Sequence, residues 1–173
     1  MIKNDLTQKY SKGTIAIHWI TAIIILSLFP LGKYMEDLPA SEKMGLMKIH
    51  AILGIVVFIL TIIRSYLFFK TKRPAVIKTG SALNDKLAVW IHNSFYFLLI
   101  FISITGMATM FLGGYGDALQ SDNFELIKNR EEILPLKGHG ISAFIMMILL
   151  VLHVFGVAKH YISTKENTLK RIL

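Results

Sequence analysis

The feature that most limits what this chain can fold into is a set of four long apolar segments. They cover, approximately, residues 15–32, 44–69, 87–112 and 139–161. Each is close to or above the ~20 residues that a helix needs to cross ~30 Å of hydrocarbon. The polar stripes of a soluble bundle are almost missing from them, and the mean hydropathy of the chain is +0.56. The sequence therefore predicts an all-α membrane protein, with a single domain over 1–173 in which four transmembrane helices form a bundle.

The basic residues are distributed unevenly between the connections. The N-terminal tail, the 64–86 connection and the C-terminal tail carry thirteen Lys or Arg and three acidic residues, whereas the other two connections carry six and eight. Basic loops stay on the cytoplasmic side of a membrane, so we predict that both termini are cytoplasmic. The net charge of +8 then requires no nucleic-acid partner. The basic segment "KTKRPAVIKTG" is predicted to contact anionic lipid headgroups.

The chain contains no cysteine. This excludes disulfides, iron–sulfur clusters held by thiolates, and a c-type haem attached through C-x-x-C-H. No nucleophilic triad, pair of catalytic carboxylates or metal-hydrolase motif is recognisable either. Any redox cofactor must therefore be held without thioether bonds.

Histidines occur on all four predicted helices and fall at two depths. Near the outer boundary lie His50 and His139, and near the inner boundary lie His18, His92 and His153. On the last helix, the fourteen residues between the two histidines place them about 21 Å apart on one helix face. An isolated membrane histidine is often only hydrogen-bonded to a neighbouring helix. Two layers of imidazoles, however, indicate a functional site, because ionisable groups are costly inside a membrane.

Facing imidazoles in the core of a helix bundle are a common way to hold the iron of a b-type haem. The outer layer contains His50 and His139 alone, so these two form a pair. In the inner layer, His153 has two possible partners, His18 and His92, and depth does not distinguish them. The pattern predicts two haem b groups, each with two histidines bound to its iron.

Several segments that contain these residues resemble the bacterial cytochrome b561 family, namely "AIHWI", "KIHAILG", "RSYLFF" and "LHVFGVAKHY". The likeness extends over nearly the whole chain. The histidine pattern is also similar to that of the cytochrome b subunits of formate dehydrogenases and nickel–iron hydrogenases. The resemblance implies a four-helix dihaem cytochrome of the bacterial inner membrane. It also implies that His18 pairs with His153 near the cytoplasm and His50 with His139 near the periplasm. "KGHG" departs from relatives, which often have an aromatic or acidic residue beside this histidine.

The resemblance further implies transmembrane electron transfer from a periplasmic donor, either a small molecule or a protein, to membrane quinone (ubiquinone or menaquinone). In relatives the quinone is thought to bind near the cytoplasmic haem. His160, Lys78, His92 and Arg64 lie near that boundary and are candidate quinone contacts. Arg64 would alternatively bind a haem propionate, and Lys78 and Arg64 would otherwise only reach lipid phosphates.

Three functions remain open for such a chain. Some members of the resembled family oxidise superoxide and pass its electron to ubiquinone, which makes this chain a candidate superoxide:ubiquinone oxidoreductase. A haem b membrane subunit that docks to a separate periplasmic dehydrogenase or hydrogenase is the nearest alternative. A proton or metal transporter with histidine relay groups is the third, although the repeats or broken helices typical of transporters are not visible.

Overall fold

The computed structural model describes residues 4–173, none of which forms a β-strand. Its four long helices are α1 (Lys12–Glu36), α2 (Ala40–Lys70), α3 (Ala82–Leu112) and α5 (Leu134–Thr164). A short helix, α4 (Tyr115–Ser121), and three 3-10 turns (Phe124–Leu126, Arg130–Glu132 and Thr168–Arg171) complete the chain. All four long helices are long and apolar enough to cross a membrane. The predicted fold class, an all-α membrane bundle of four spanning helices, is confirmed.

The long helices extend beyond the apolar segments that predicted them, and a capping side chain begins two of them, α1 and α3. The Ser11 side chain accepts a hydrogen bond from the backbone N–H of Thr14 at 3.2 Å and so begins α1. Ser81 caps α3 in the same way through Asn84. Helix α5 begins at Leu134, with a proline in its first turn, where a missing N–H costs nothing.

The exterior of the bundle is apolar. Large side chains such as Phe69, Phe111 and Trp90 are 82%, 80% and 73% exposed. An exposed apolar surface of this kind is unfavourable in water but matches the hydrocarbon of a bilayer. The chain is therefore a multi-pass membrane protein.

The interior is built from three layers, because the inward-facing residues recur every seven positions on each long helix. Seven residues make about two helical turns, so successive members share one face. The terminal layer lies at the end of the bundle where both chain termini meet, the distal layer lies at the α4 end, and the middle layer separates them. The members are His18, Arg64, His92 and His153 in the terminal layer, Ile25, Val57, Leu99 and Met146 in the middle layer, and Gly32, His50, Gly106 and His139 in the distal layer.

The middle layer forms the apolar core. Val57, Leu99 and Met146 are buried there together with Leu98, and Ile25 packs against them. Helix α3 packs most extensively against α5, and α2 contacts both α1 and α3. This core separates the histidines of the other two layers, because Met146 lies about two helical turns from the histidine on either side of it along α5.

Each end of the bundle is closed by short segments. At the terminal end, the backbone N–H of Tyr10 donates to the carbonyl of Arg171 at 3.1 Å, which joins the two chain ends. At the distal end, α4 and the turns after it bury Tyr115, Ala118 and Ile133 to 4%, 0% and 2% exposure. The closed ends fix the positions of the helices that carry the two histidine layers.

Candidate functional site

In the distal layer the rings of His50 and His139 face each other across the bundle. Their centroids are 6.0 Å apart and their planes are inclined by 65°. An imidazole nitrogen binds a metal at roughly 2 Å, and the ring centre lies about 1 Å further away, so two rings on opposite sides of one metal are separated by about 6 Å. The distal pair therefore has the spacing that an iron between the two rings requires.

The hydrogen bonds of this pair leave ring nitrogens free for a metal. Nδ1 of His139 lies 2.9 Å from the carbonyl oxygen of Ile102. A carbonyl can only accept, so Nδ1 carries the hydrogen and Nε2 keeps its lone pair. Nδ1 of His50 is buried and has no hydrogen-bond partner among residues 4–173. A buried nitrogen in this state indicates a missing partner, and the distal residues fit a haem whose iron the two imidazoles would hold.

Two glycines, which sequence reasoning missed, make room for the rings. A Cβ on Gly106 would lie 3.1 Å from Cε1 and 3.2 Å from Nδ1 of His139, and one on Gly32 would lie 3.4 Å from Cε1 of His50. Each ring thus lies against helix backbone that carries no side chain. A signal was present in the sequence, because Gly32 and Gly106 each follow a histidine of the same helix by fourteen residues.

The terminal layer surrounds a cavity. The residues that line it include three histidines, one arginine and the hydroxyl of Thr21, the histidines and the arginine being His18, His92, His153 and Arg64. The rings of His92 and His153 are 5.0 Å apart and nearly perpendicular. Nδ1 of His92 lies 2.6 Å from the carbonyl of Ala88, to which it donates. All the histidines predicted for the inner layer therefore meet at one cavity.

The guanidinium of Arg64 determines the tautomer of His18. Its Nη2 lies 3.2 Å from Nδ1 of His18, and a guanidinium only donates, so Nδ1 accepts and the hydrogen of His18 is on Nε2. Within the described chain, Nε of Arg64 and the hydroxyl of Thr21 are buried and have no hydrogen-bond partner. These polar groups fit a cofactor with anionic substituents, as a haem has in its propionates.

The other predicted contacts, His160 and Lys78, belong to a separate cluster at the terminal end. Nε2 of His160 lies 3.1 Å from Oε2 of Glu166. Asn4 donates to the two oxygens of that carboxylate from its backbone at 3.0 Å and from its side chain at 2.7 Å. The same Asn4 amide bonds both backbone groups of Lys78. The structure therefore divides the four predicted quinone contacts into a pair that lines the cavity and a pair held by Glu166 and Asn4.

Hydrogen bonds determine the charge of this cluster. The backbone and then the side chain of Asn4 lower the pKa of Glu166 below its usual value, and the bond with His160 lowers it further. The carboxylate is therefore ionised at neutral pH and accepts the hydrogen bond from Nε2 of His160.

Comparison with known proteins gives a consistent result. A family model described as prokaryotic cytochrome b561 matches residues 9–173. A "probable superoxide oxidase CybB" from Yersinia pestis is 24% identical and the match covers 96% of each chain. "Cytochrome b561 homolog 2" from Escherichia coli strain K12 is 26% identical, with 96% of this chain and 92% of the relative covered. A "cytochrome b562" from Cereibacter sphaeroides is 22% identical, with 97% and 98% covered. The matched region includes both histidine layers.

Proposed function

Because this chain belongs to the prokaryotic cytochrome b561 family, we propose that it transfers electrons across the membrane from a donor at the distal end to quinone at the terminal end. The family supports membrane electron transfer and a b-type haem. Two haems, their ligands, the donor and the acceptor are our proposal. The observation that carries it is the 6.0 Å separation of the His50 and His139 rings. Haem b, when bound, supplies a carrier of single electrons.

In the distal layer, His50 and His139 would hold the iron of one haem. The donation from His139 to the Ile102 carbonyl, at 2.9 Å, fixes the tautomer that keeps Nε2 free for iron. This end would face the periplasm if the basic connections are cytoplasmic, as the charge distribution predicts.

In the terminal layer, His153 and His18 would hold the iron of the other haem. His92 fits less well, because its ring is 5.0 Å from that of His153, which is closer than the about 6 Å that an intervening metal requires. Arg64 would leave His18 and bind a haem propionate, a bidentate pairing that suits its guanidinium. His92 then packs against His153 and donates to Ala88 as it does now.

Quinone would bind at the terminal end, beside His160 and Lys78. Reduction of a quinone to a quinol consumes two electrons and two protons, so the site needs a proton donor as well as a haem. His160 is bonded to Glu166 at 3.1 Å and can pass a proton to a quinone oxygen and recover one through the carboxylate. Lys78 would add positive charge near the headgroup. Ubiquinone and menaquinone both fit this chemistry.

The haem assignment predicts a count and a selective loss. The purified protein should contain about two haem b groups per chain in a pyridine haemochrome assay. His50→Ala and His139→Ala should each remove the distal haem alone and halve that value, because the middle layer separates the two sites. Leu173→Ala, at the chain end, is the control. A colourless wild-type protein would contradict the proposal.

Superoxide is the donor that we propose first, since a relative that matches 96% of this chain carries the name probable superoxide oxidase. When the protein is mixed rapidly with superoxide, the haem should be reduced on the time scale of the stopped-flow measurement. Added quinone should then reoxidise it. A protein donor at the distal end, such as a dehydrogenase, is the second candidate. Haem that stays oxidised after mixing with superoxide would rule out the first and favour the second.

A further inference from the structure

The two distal histidines are held in different ways, because only His139 is bonded to helix α3. His139 approaches α3 where Gly106 has no side chain, and there it bonds the carbonyl of Ile102 at 2.9 Å. We propose that Gly106 and the Ile102 carbonyl are the positioning elements that fix the orientation and tautomer of His139. This inference rests on the proposed role of His139 as a haem ligand.

Helix geometry explains why a glycine is needed at this position. Gly106 follows Ile102 by four residues, one helical turn. A side chain in a helix points toward the N-terminus and covers the turn before its own Cα, so a side chain at position 106 would cover the Ile102 carbonyl. A Cβ there would also lie 3.1 Å from Cε1 and 3.2 Å from Nδ1 of His139. Alanine is therefore enough to push the imidazole away.

The carbonyl has capacity for this bond. The Thr105 hydroxyl approaches the same oxygen at 3.0 Å, but it lies closer, at 2.8 Å, to the carbonyl of Phe101. A carbonyl has two lone pairs and commonly accepts a second donor besides its helical N–H. The Ile102 carbonyl thus accepts from Nδ1 of His139 at 2.9 Å, besides its helical N–H and the weaker bond from Thr105.

The bond has a chemical consequence. A ligand histidine that donates through its second nitrogen is more basic, and its ring is fixed against rotation. A more basic ligand stabilises oxidised iron, so this bond lowers the reduction potential of the distal haem. His50, in contrast, lies beside Gly32, where an added Cβ would be 3.4 Å from its Cε1, and its Nδ1 has no hydrogen-bond partner among residues 4–173. The two ligands are therefore unequal, because a hydrogen bond orients His139 and raises its basicity, whereas His50 lacks such a bond.

The test compares three glycine-to-alanine variants of the full-length protein in detergent. In Gly106→Ala, the distal haem should dissociate roughly ten- to a hundredfold more readily, and the fraction that remains should have a higher potential and an altered low-spin EPR signal. Gly140→Ala is the matched control, because a Cβ there would meet nothing within 4 Å apart from its chain neighbours and the backbone of its own helix. Gly32→Ala should disturb the distal haem less than Gly106→Ala, because a Cβ there would lie 3.4 Å from Cε1 of His50, which is an ordinary contact. The terminal haem reports correct folding and should be unchanged in all three.

Two outcomes would overturn the inference. One is a Gly106→Ala protein whose haem content, potentials and EPR signals equal those of Gly140→Ala. The other comes from a second measurement, which is needed if Gly106→Ala loses both haems and so fails to fold. His18→Ala, which should keep the distal haem alone, is then measured by electron–nuclear double resonance in D2O. An Nδ1 hydrogen of His139 that exchanges as fast as that of a solvent-exposed imidazole would show that the bond to Ile102 is absent.

Discussion

At the scale of single residues, the second ring nitrogen decides what each histidine can do. Nδ1 donates to a helix carbonyl in His139 and His92, at 2.9 and 2.6 Å. In His18, Nδ1 accepts from an arginine, and Nε2 of His160 lies against a carboxylate. A donor to a neutral carbonyl becomes a good metal ligand, whereas an imidazole beside a carboxylate becomes a good proton carrier. In the proposed function, one residue type would thus serve two chemistries within one bundle.

Glu166→Gln should slow quinone reduction while leaving the haems in place. The amide cannot relay a proton, so we expect a rate loss on the order of ten- to a hundredfold, at the low end of general acid–base effects. Stopped-flow reoxidation of reduced protein by a quinone analogue measures it. Glu125→Gln, an exposed residue at the distal end, is the control. Equal rates for the two variants would remove Glu166 from the mechanism.

The same carboxylate gives the terminal cluster a pH dependence. Its pKa is lower in the folded protein than the usual value of 4.5, mainly because of the bonds from Asn4. The stabilisation is therefore fully present above pH 4.5 and is lost as the pH falls through the lower, folded pKa. The cluster should be intact across the physiological range.

At the scale of elements, helix ends and turns determine the positions of the helices that carry the histidines. Helix α3 ends at Leu112, and Gly114 then adopts a left-handed conformation with a φ of 76° that begins α4. The backbone of Lys128 returns to bond the carbonyl of Gly113 at 3.1 Å. These contacts bring the chain back to the start of α5, and so to His139.

Gly114→Ala should destabilise the distal end. Its φ is in the region that disfavours side chains, and a Cβ there would overlap the carbonyl oxygen of Leu126. The cost of such a conformation is roughly 1–3 kcal/mol, so thermal unfolding in detergent should begin at a lower temperature. Gly116→Ala is the matched control, because its Cβ would lie 3.5 Å from its nearest neighbour, the carbonyl of Met110. Identical unfolding curves for the two variants would contradict this account of the turn.

At the scale of the whole molecule, the two ends of the chain are fastened together over the terminal layer. Arg171 is 4% exposed. It donates to the carbonyl of Gln8 at 3.2 Å and to that of Ala75 at 2.8 Å. The indole of Trp19 also donates to the carbonyl of Ile172 at 2.8 Å. The N-terminal segment, the α2–α3 connection and the C-terminal turn thus form one closure.

Arg171→Met should open this closure. The methionine fills much of the same space but leaves the two carbonyls without their donor, at a cost of roughly 1–3 kcal/mol. On heating, the terminal haem should be lost before the distal one, which absorbance can follow if the two haems differ in potential or spectrum. Lys170→Met, at an exposed neighbouring position, should behave like the wild type. Loss of both haems together at the wild-type temperature would show that the closure does not protect the terminal site.

Much of this molecule is determined by the sequence alone. Apolar length is a local property, so four spanning helices could be predicted and are confirmed. The depth of each histidine also follows from its position in a helix. This is why His50 and His139 could be paired before their 6.0 Å separation was known. The pairing with iron and the choice of His18 for His153 stay predictions.

Tertiary structure decided what depends on which faces meet. The contact of Gly106 with His139 joins α3 to α5, and the bond of Arg64 to His18 joins α2 to α1. Asn4 reaches Glu166 across 162 positions of sequence. Periodicity gives the inward face of a helix but not the neighbour that the face meets, since hydrophobic burial has no direction. Hydrogen bonds and close contacts are directional, so only the packed bundle shows which nitrogen of each histidine is free.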